Sequence, residues 1–381
     1  MMHQINFYPV GNGDTCQIIL DSDKRILLDF RHHGNGVKDD SPEIDLKNTL
    51  KNELKEAKRN SFDVVAFTHA DEDHIQGSTE FFELLHEKQY QGEGRVKINE
   101  LWVPAAMLLE RTDKDKQKEE FVILRQEARH RLKEKKGIKV FSKPDELTKL
   151  IESWDMSVDD VAHCIVDAGT LVDTFSLKDD GIEFFVHSPF IAHLDQDGKQ
   201  IKTVRNKASL IFNIRFQQGQ ELYDFLAIGD SEWEVLEEIV EITQYHRNDD
   251  RLRWDLLNIP HHCSYLALSD TKGDNETAPK PKVEELLLQG QRDAYMICSS
   301  NAFGHGKEAL DRIQPPHLQS RHCYEKYLKK VGGRRFIVTM EEPNSKAPEP
   351  VTIEITHFGL SLKKAASAAL AAAVASPARA G

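Results

Sequence analysis

The sequence predicts an α/β fold, on three observations. Short runs of β-branched and aromatic residues bounded by Gly, Asp and Asn recur along the chain, and charged stretches with leucines at helical spacing stand between them. Several of the apolar runs also stop abruptly at groups of ionisable residues. A strand delivers whatever follows it to the edge of its sheet, so these stops mark where chemistry is expected.

Taken in order, Gln4 to Tyr8 alternates as a strand, Gly11-Asn12-Gly13-Asp14 turns the chain, and Thr15 to Leu20 and Ile26 to Phe30 are two further strands. Asp14 and Asp29 read first as a turn residue and a strand-end residue. Asp45 to Arg59 is a charged helix with Leu46, Leu50, Leu54 and Ala57 on one face. It leads into Val64-Val65-Ala66-Phe67, a buried strand, and then into Thr68-His69-Ala70-Asp71-Glu72-Asp73-His74-Ile75-Gln76-Gly77. Two imidazoles and the neighbouring carboxylates cannot share a partly buried strand end without something to neutralise the negative charge, and a divalent cation does that.

Ser78 to Lys88 repeats the helical pattern through Phe81, Phe82, Leu84 and Leu85. Residues from about 89 to 161 change character: Ile98 to Pro104 is a strand, and Arg111 to Lys136 is dense in charge, reading as a helical insertion without a core of its own. Arg125, Arg129, Arg131, Lys133, Lys135 and Lys136 are its basic residues, with Glu119, Glu120, Glu127 and Glu134 interleaved, so a solvated mixed-charge helix is expected. Ile182 to His187 is a strand, Asp195 to Gly198 a turn, and Leu210 to Phe216 with Tyr223 to Ile228 a hairpin ending at Gly229-Asp230. Trp233 to Val240 is helical. Leu256 to Ser264 is a strand with an abrupt end at Pro260-His261-His262-Cys263-Ser264, and Ala294 to Cys298 another, followed by a loop carrying His305. Phe336 to Thr339 and Val351 to Ile355 close the sheet.

Composition bounds the function. A chain of 381 residues with 39% apolar content can bury a large core, read here as one domain over 1–363 with the insertion at about 89–161 and an Ala-rich tail at 364–381. A formal charge of −13 argues against a general nucleic-acid-coating surface. Cys16, Cys164, Cys263, Cys298 and Cys323 are scattered and include no CxxC pair, which excludes a zinc ribbon and fits a reducing compartment. No basic-then-apolar leader and no window of about 20 strongly apolar residues stands out, so the expectation is a cytoplasmic protein without a membrane contact.

The motif His69-x-Asp71-x-Asp73-His74 resembles the HxHxDH signature of the metallo-β-lactamase superfamily, in the HxDxDH form of the hydrolase domain of ComEC-type competence proteins and their soluble relatives. The turn at Gly11–Asp14, the Leu27-Leu28-Asp29 strand end, Ser188-Pro189, Gly229-Asp230, a PHHGS-like stretch at Pro260–Ser264 and a loop with His305 follow in the family's order. Two departures stand out: Cys263 replaces a Gly, and Asn206 falls where many members have a His. The resemblance implies an αββα sandwich and two divalent metal ions, zinc or manganese. His69 and Asp71 would bind the first, Asp73 and His74 the second, and Asp230 both. One of His261 and His262 would complete the second site and the other stand near the substrate; the sequence leaves the pair interchangeable, and His261 is taken as the ligand. Asn206 is either a weak ligand or a substrate-orienting amide.

By the same resemblance the chemistry is hydrolysis by a metal-bridged hydroxide, with Asp73 at the reacting centre and His262 or His305 protonating the leaving group. A phosphodiester, nucleic acid or nucleotide among the candidates, is the expected substrate. Alternatives are a lactone or thioester at the same centre, or a metal-binding module without turnover. A protein partner would be contacted through the 111–136 insertion.

Overall fold

The structure is a computed structural model that describes residues 2–38, 41–110, 119–190 and 204–363. Its strands fall into two sheets. One contains β1 (His3–Phe7), β2 (Cys16–Ile19), β3 (Arg25–Leu28), β4 (Ser61–Ala66), β5 (Lys97–Pro104), β6 (Ile138–Phe141) and β7 (Ile165–Val166). The other holds β8 (Ile182–Ser188), β9 (Ile211–Gln218), β10 (Glu221–Ile228), β11 (Trp254–Asn258), β12 (Gly290–Cys298) and β13 (Arg335–Val338), while β14 (Val351–Thr356) and β15 (Gly359–Leu362) return to the first. The orders are β15-β14-β1-β2-β3-β4-β5-β6-β7 and β13-β12-β11-β10-β9-β8. β14 therefore pairs antiparallel with β1 and brings the C-terminal strands back to the N-terminal one.

Three apolar clusters define the layers. Between the sheets, Phe7, Ile18, Val64 and Trp102 of the first meet Phe184, Phe212, Phe225 and Leu256 of the second. On the outer face of the first sheet, Leu50 of the helix Leu46–Glu56, Leu108 of Ala105–Leu109, Leu124 of Glu120–Lys133 and Ile151 of Asp145–Glu152 cover Leu27, Val65 and Leu101. On the outer face of the second, Ile239 of Trp233–Tyr245, Val283 of Pro281–Leu287 and Tyr324 of Leu318–Lys330 cover Leu226, Leu257 and Met296. Helix, sheet, sheet, helix is the αββα sandwich. β4 sits in the middle of its sheet with Val64 facing one apolar layer and Val65 the other, which is why its sequence is a continuous apolar run rather than an alternating one.

Local structure follows the sequence where its periodicity is strong. Asp45 caps the helix Leu46–Glu56 by accepting from the Asn48 amide, and Leu46, Leu50 and Leu54 are buried. The helix expected from Ser78 to Lys88 stops at Phe81, because Phe82 turns extended and bridges Val96, seating two adjacent phenylalanines in the same core. The charged 89–161 region is less separate than its composition suggests. β5, β6 and the neighbouring β7 lengthen the first sheet by parallel pairing, and Phe121, Val122, Leu124, Ala128 and Leu132 of the helix Glu120–Lys133 join the main core.

The arginines of that helix are engaged rather than displayed, while Lys133, Lys135 and Lys136 stay exposed. Arg129 donates to the Leu108 carbonyl, Arg131 to Glu127 and the Ile98 and Gly137 carbonyls, and Lys133 lies over the Trp154 ring. Residues 111–118, the expected turn at Asp195–Gly198 and the Ala-rich tail lie outside the described residues. Among the described residues, no helix is long and apolar enough to cross a membrane.

Candidate metal centre

Five strand ends converge on one corner of the sandwich. β4 ends at Ala66 and passes through Phe67 and Thr68 to His69; Asp71 then opens the short helix Glu72–Ile75, whose first turn carries Asp73 and His74. β3 ends just before Asp29, whose backbone is left-handed at φ 58°. Asp14 closes the glycine turn between β1 and β2, with its amide donating to the Asp73 carbonyl at 3.3 Å. From the second sheet, β10 delivers Gly229-Asp230 and β11 delivers Pro260-His261-His262. Gly229 sits at a close approach: a Cβ there would lie 3.0 Å from Thr68 Oγ1 and 3.3 Å from Ser209 Oγ.

The side chains are aimed by their outer hydrogen bonds. Asp29 Oδ1 accepts from the Thr68 amide at 2.7 Å, and its Oδ2 lies 2.7 Å from both Thr68 Oγ1 and His74 Nδ1. With Nδ1 so engaged, His74 Nε2 faces Asp230 Oδ1 at 3.1 Å. His262 is held in the same way: Nδ1 meets the Ser299 carbonyl at 2.8 Å, and Nε2 faces Asp73 Oδ2 at 3.2 Å and Asp230 Oδ2 at 3.5 Å. His69 Nδ1 lies 3.1 Å from Thr68 Oγ1, and its Nε2 is 3.6 Å from Asp71 Oδ2. Pinning one imidazole nitrogen to fix the other is what metal-ligating histidines do.

Despite their short separation, His74 Nε2 and Asp230 Oδ1 lack hydrogen-bond geometry, and together with His69 Nε2 and Asn206 Oδ1 they are buried without a hydrogen-bond partner among the described residues. Orphaned buried donors and acceptors of this kind are costly in a folded protein unless something else binds them. Ligand atoms of His69, Asp73, His74 and Asp230 all lie within 4.8 Å of one another, as do those of Asp14, Asp230 and His262, and of Asp14, Asp29 and His74. The donor set therefore fits a divalent cation, with imidazole nitrogens and carboxylate oxygens that suit zinc or manganese alike.

Electrostatics point the same way. Burial alone would lower the His74 pKa, but Asp230 and Asp29 at its two nitrogens hold it well above the ordinary imidazole value. His262, also buried, is carried to about 10 by Asp230 and Asp73. Asp230 is buried, which would favour its neutral form, yet His262, His74 and His261 hold it well below the usual carboxylate range. Burial pushes Asp14 up to about 6. Protons on imidazoles thus neutralise the carboxylates, a task a cation can take over with release of those protons.

Every residue of the sequence motif is at this corner, but not in equal roles. Asp71 belongs to none of the convergent ligand sets; its Oδ1 accepts from Arg205 Nη1 at 2.7 Å. His261 is partly exposed with Nε2 3.9 Å from Asp230 Oδ2, whereas His262 is buried and aimed inward. His305 is exposed at the start of the short helix Gly306–Leu310 and belongs to none of those sets. Asp14 and Asp29, which the sequence presents as ordinary turn and strand-end residues, both stand inside the cluster. His261, His262 and Cys263 all have left-handed backbones, at φ 50°, 51° and 65°. Cys263 holds a left-handed conformation that ordinarily favours glycine, with its carbonyl accepting from the His317 amide at 3.1 Å.

No protein-family model and no curated protein matches this sequence. Among solved structures, a diphosphatase of the PhnP family is similar at 11% identity over 93% of this chain and 98% of its own, with a TM-score of 0.32. Unliganded yeast PDE1 is similar at 11% identity over 88% and 97%, with a TM-score of 0.42. A class B3 di-zinc metallo-β-lactamase from an Alaskan soil metagenome is similar at 12% identity over 86% and 90%, with a TM-score of 0.30. At these TM-scores the likenesses add nothing to the layer order and geometry described above. The class that fold and site define is an αββα sandwich with a histidine–aspartate cluster able to hold a metal.

Proposed function

We propose that this chain is a metal-dependent hydrolase with a dinuclear centre, acting on a phosphodiester. The observation that carries the reading is the convergence of inward-facing His69 Nε2, His74 Nε2 and His262 Nε2 on the buried carboxylate of Asp230, with Asp73 beside it. One metal position would take Asp73, His74, Asp230 and His262; the other would take His69, Asp230 and Asp71, with Asn206 close in sequence to Arg205 and offering an unpaired amide oxygen.

A divalent pair held there would supply Lewis-acid polarisation of the scissile group and a nucleophile from water near neutral pH. The chain's residues do the rest. Asp29 and the Ser299 carbonyl keep the inward nitrogens of His74 and His262 free of protons once the carboxylates have a cation to face. His261, partly exposed and near Asp230, is the group placed to hand a proton to the departing oxygen, so the roles of the two adjacent histidines are assigned as His262 ligand and His261 proton donor. The phosphodiester rests on the resemblance to ComEC-type domains and on the suitability of hard, oxygen-rich sites for charged phosphoryl oxygens.

The test is protein stripped of metal and reloaded with manganese or zinc, assayed on a bis-aryl phosphodiester and on a lactone panel. Metal-dependent phosphodiester cleavage is expected, with manganese at least as effective as zinc. Cleavage of lactones alone would replace the phosphoryl reading with a carbonyl one, and bound metal without turnover on either would leave a binding module.

A further inference from the structure

Among the described residues, Arg205 is the arginine that pairs with the metal motif, and its surroundings are unusually complete. From the helix Val204–Lys207, its Nη1 donates to Asp71 Oδ1 at 2.7 Å and to the Ala70 carbonyl at 3.1 Å. Its Nε donates to Glu110 Oε2 at 2.7 Å, and Nη2 donates to Glu110 Oε1, a two-pronged pair. The guanidinium carbon lies 4.8 Å from the centre of the Phe121 ring. Its side chain is only 13% exposed, and Glu110 is buried. A guanidinium fixed by two carboxylates, a carbonyl and a ring face is not a wandering surface charge.

Asp71 therefore already has a cation. Its Oδ1 is taken and only Oδ2, 3.6 Å from His69 Nε2, is turned toward the metal centre. Asp73 and Asp230 face imidazoles instead, of His262 for the one and of His74, His261 and His262 for the other, and among the described residues no arginine or lysine pairs with either. A fixed positive charge on a ligand's far oxygen lowers the ligand's pull on a metal and repels the ion directly.

We infer that Arg205 is a positioning residue that weakens the His69–Asp71 metal position relative to the Asp73–His74–His262 position, so that the two load in sequence and the first is the exchangeable one. This rests on the functional reading above only in assuming that metal binds at both positions. Glu110 sets the strength of the effect, because it shares the guanidinium with Asp71. The sharing also ties the occupancy of the centre to the helices Ala105–Leu109 and Glu120–Lys133, which carry Glu110's neighbours and Phe121.

The experiment is equilibrium dialysis of metal-stripped protein against manganese, with bound metal counted per chain, which requires no substrate. Wild type is expected to load two classes of site separated in affinity. Arg205→Gln should tighten the weaker class by about tenfold, the scale of outer-shell effects on metal sites, and leave the stronger class in place. Arg205→Lys, which keeps the charge, should stay near wild type. Glu110→Gln leaves the arginine wholly to Asp71 and should weaken the same class further, giving a second, opposite arm if Arg205→Gln folds poorly. Unchanged or weaker loading in Arg205→Gln, or tighter loading in Glu110→Gln, overturns the inference while leaving the hydrolase reading standing. Wild type that binds no manganese and no zinc overturns both.

Discussion

Asp29 and His74 face each other as a buried pair, Oδ2 to Nδ1 at 2.7 Å, with side-chain exposures of 2% and 0%. Both are shielded from solvent, so the bond decides which nitrogen of His74 is bare. Asp29→Asn keeps an acceptor for the Thr68 amide but removes the charge that fixes the ring. Metal affinity is expected to fall by about 10- to 100-fold, the range for outer-shell partners of ligating histidines, with near-ultraviolet circular dichroism unchanged. Competition against a chromogenic chelator measures it, and wild-type affinity would show that the pair is structural only.

Asp230 is the shared carboxylate in this geometry, within 3.5 Å of both His74 and His262. Asp230→Asn should drop bound metal to one per chain or none and abolish hydrolysis without unfolding the protein. Metal analysis beside a thermal melt decides the point; two retained metals with full activity would remove Asp230 from the centre.

The adjacent histidines should part company. His262→Ala is expected to lose metal, because its inward nitrogen meets Asp73 and Asp230. His261→Ala should retain metal and slow turnover by about 10²- to 10⁴-fold, the range for a lost acid–base group. Metal loss in His261→Ala with none in His262→Ala would reverse the assignment.

Away from the centre, His187 supplies a pH test. It is buried, its Nε2 donates to the Arg251 carbonyl at 2.9 Å, and its Nδ1 accepts from Thr243 Oγ1 at 3.2 Å. Burial lowers its pKa to about 4. Between the unfolded value of 6.5 and about 4, the unfolded chain takes up a proton that the folded one refuses, so this contribution to stability is lost as pH falls through that window. Relative to His187→Gln, wild type should lose about 3 kcal/mol across it. Asp255, pushed up to about 6 by burial, acts in the opposite sense, which is why the measurement is the difference between the two proteins in urea melts at each pH. A difference that stays flat would contradict the assignment.

How much of this was legible in the sequence depended on range. His69, Asp73 and His74 are readable because one strand end and one helical turn place them, all within a few residues. Asp230 and the 261–262 pair are readable as strand ends, but which histidine turns inward is set by Ser299, 37 residues beyond His262, and by a left-handed backbone that no propensity favours. Asp14 and Asp29 look like ordinary turn and strand-end acids because their partners come from β4 and its following helix. Arg205 gave no signal at all: its carboxylate partners lie 134 and 95 residues away. β6 and β7 were hidden for another reason, being four and two residues long and embedded in a charge-rich stretch whose composition argues for helix.

The centre's residues come from both sheets: Asp14, Asp29, His69, Asp73 and His74 hang from the first, Asp230 and His262 from the second. An ion held among them would act as a removable rivet between halves of the chain that are far apart in sequence. Riveted, the sheets could not part at that corner without giving up its coordination, and opening there would be slowed. Stripped, the same corner would gather carboxylates and imidazoles with no rivet between the sheets. The protein's lifetime in the cell would then follow the supply of its metal, independently of any reaction it performs.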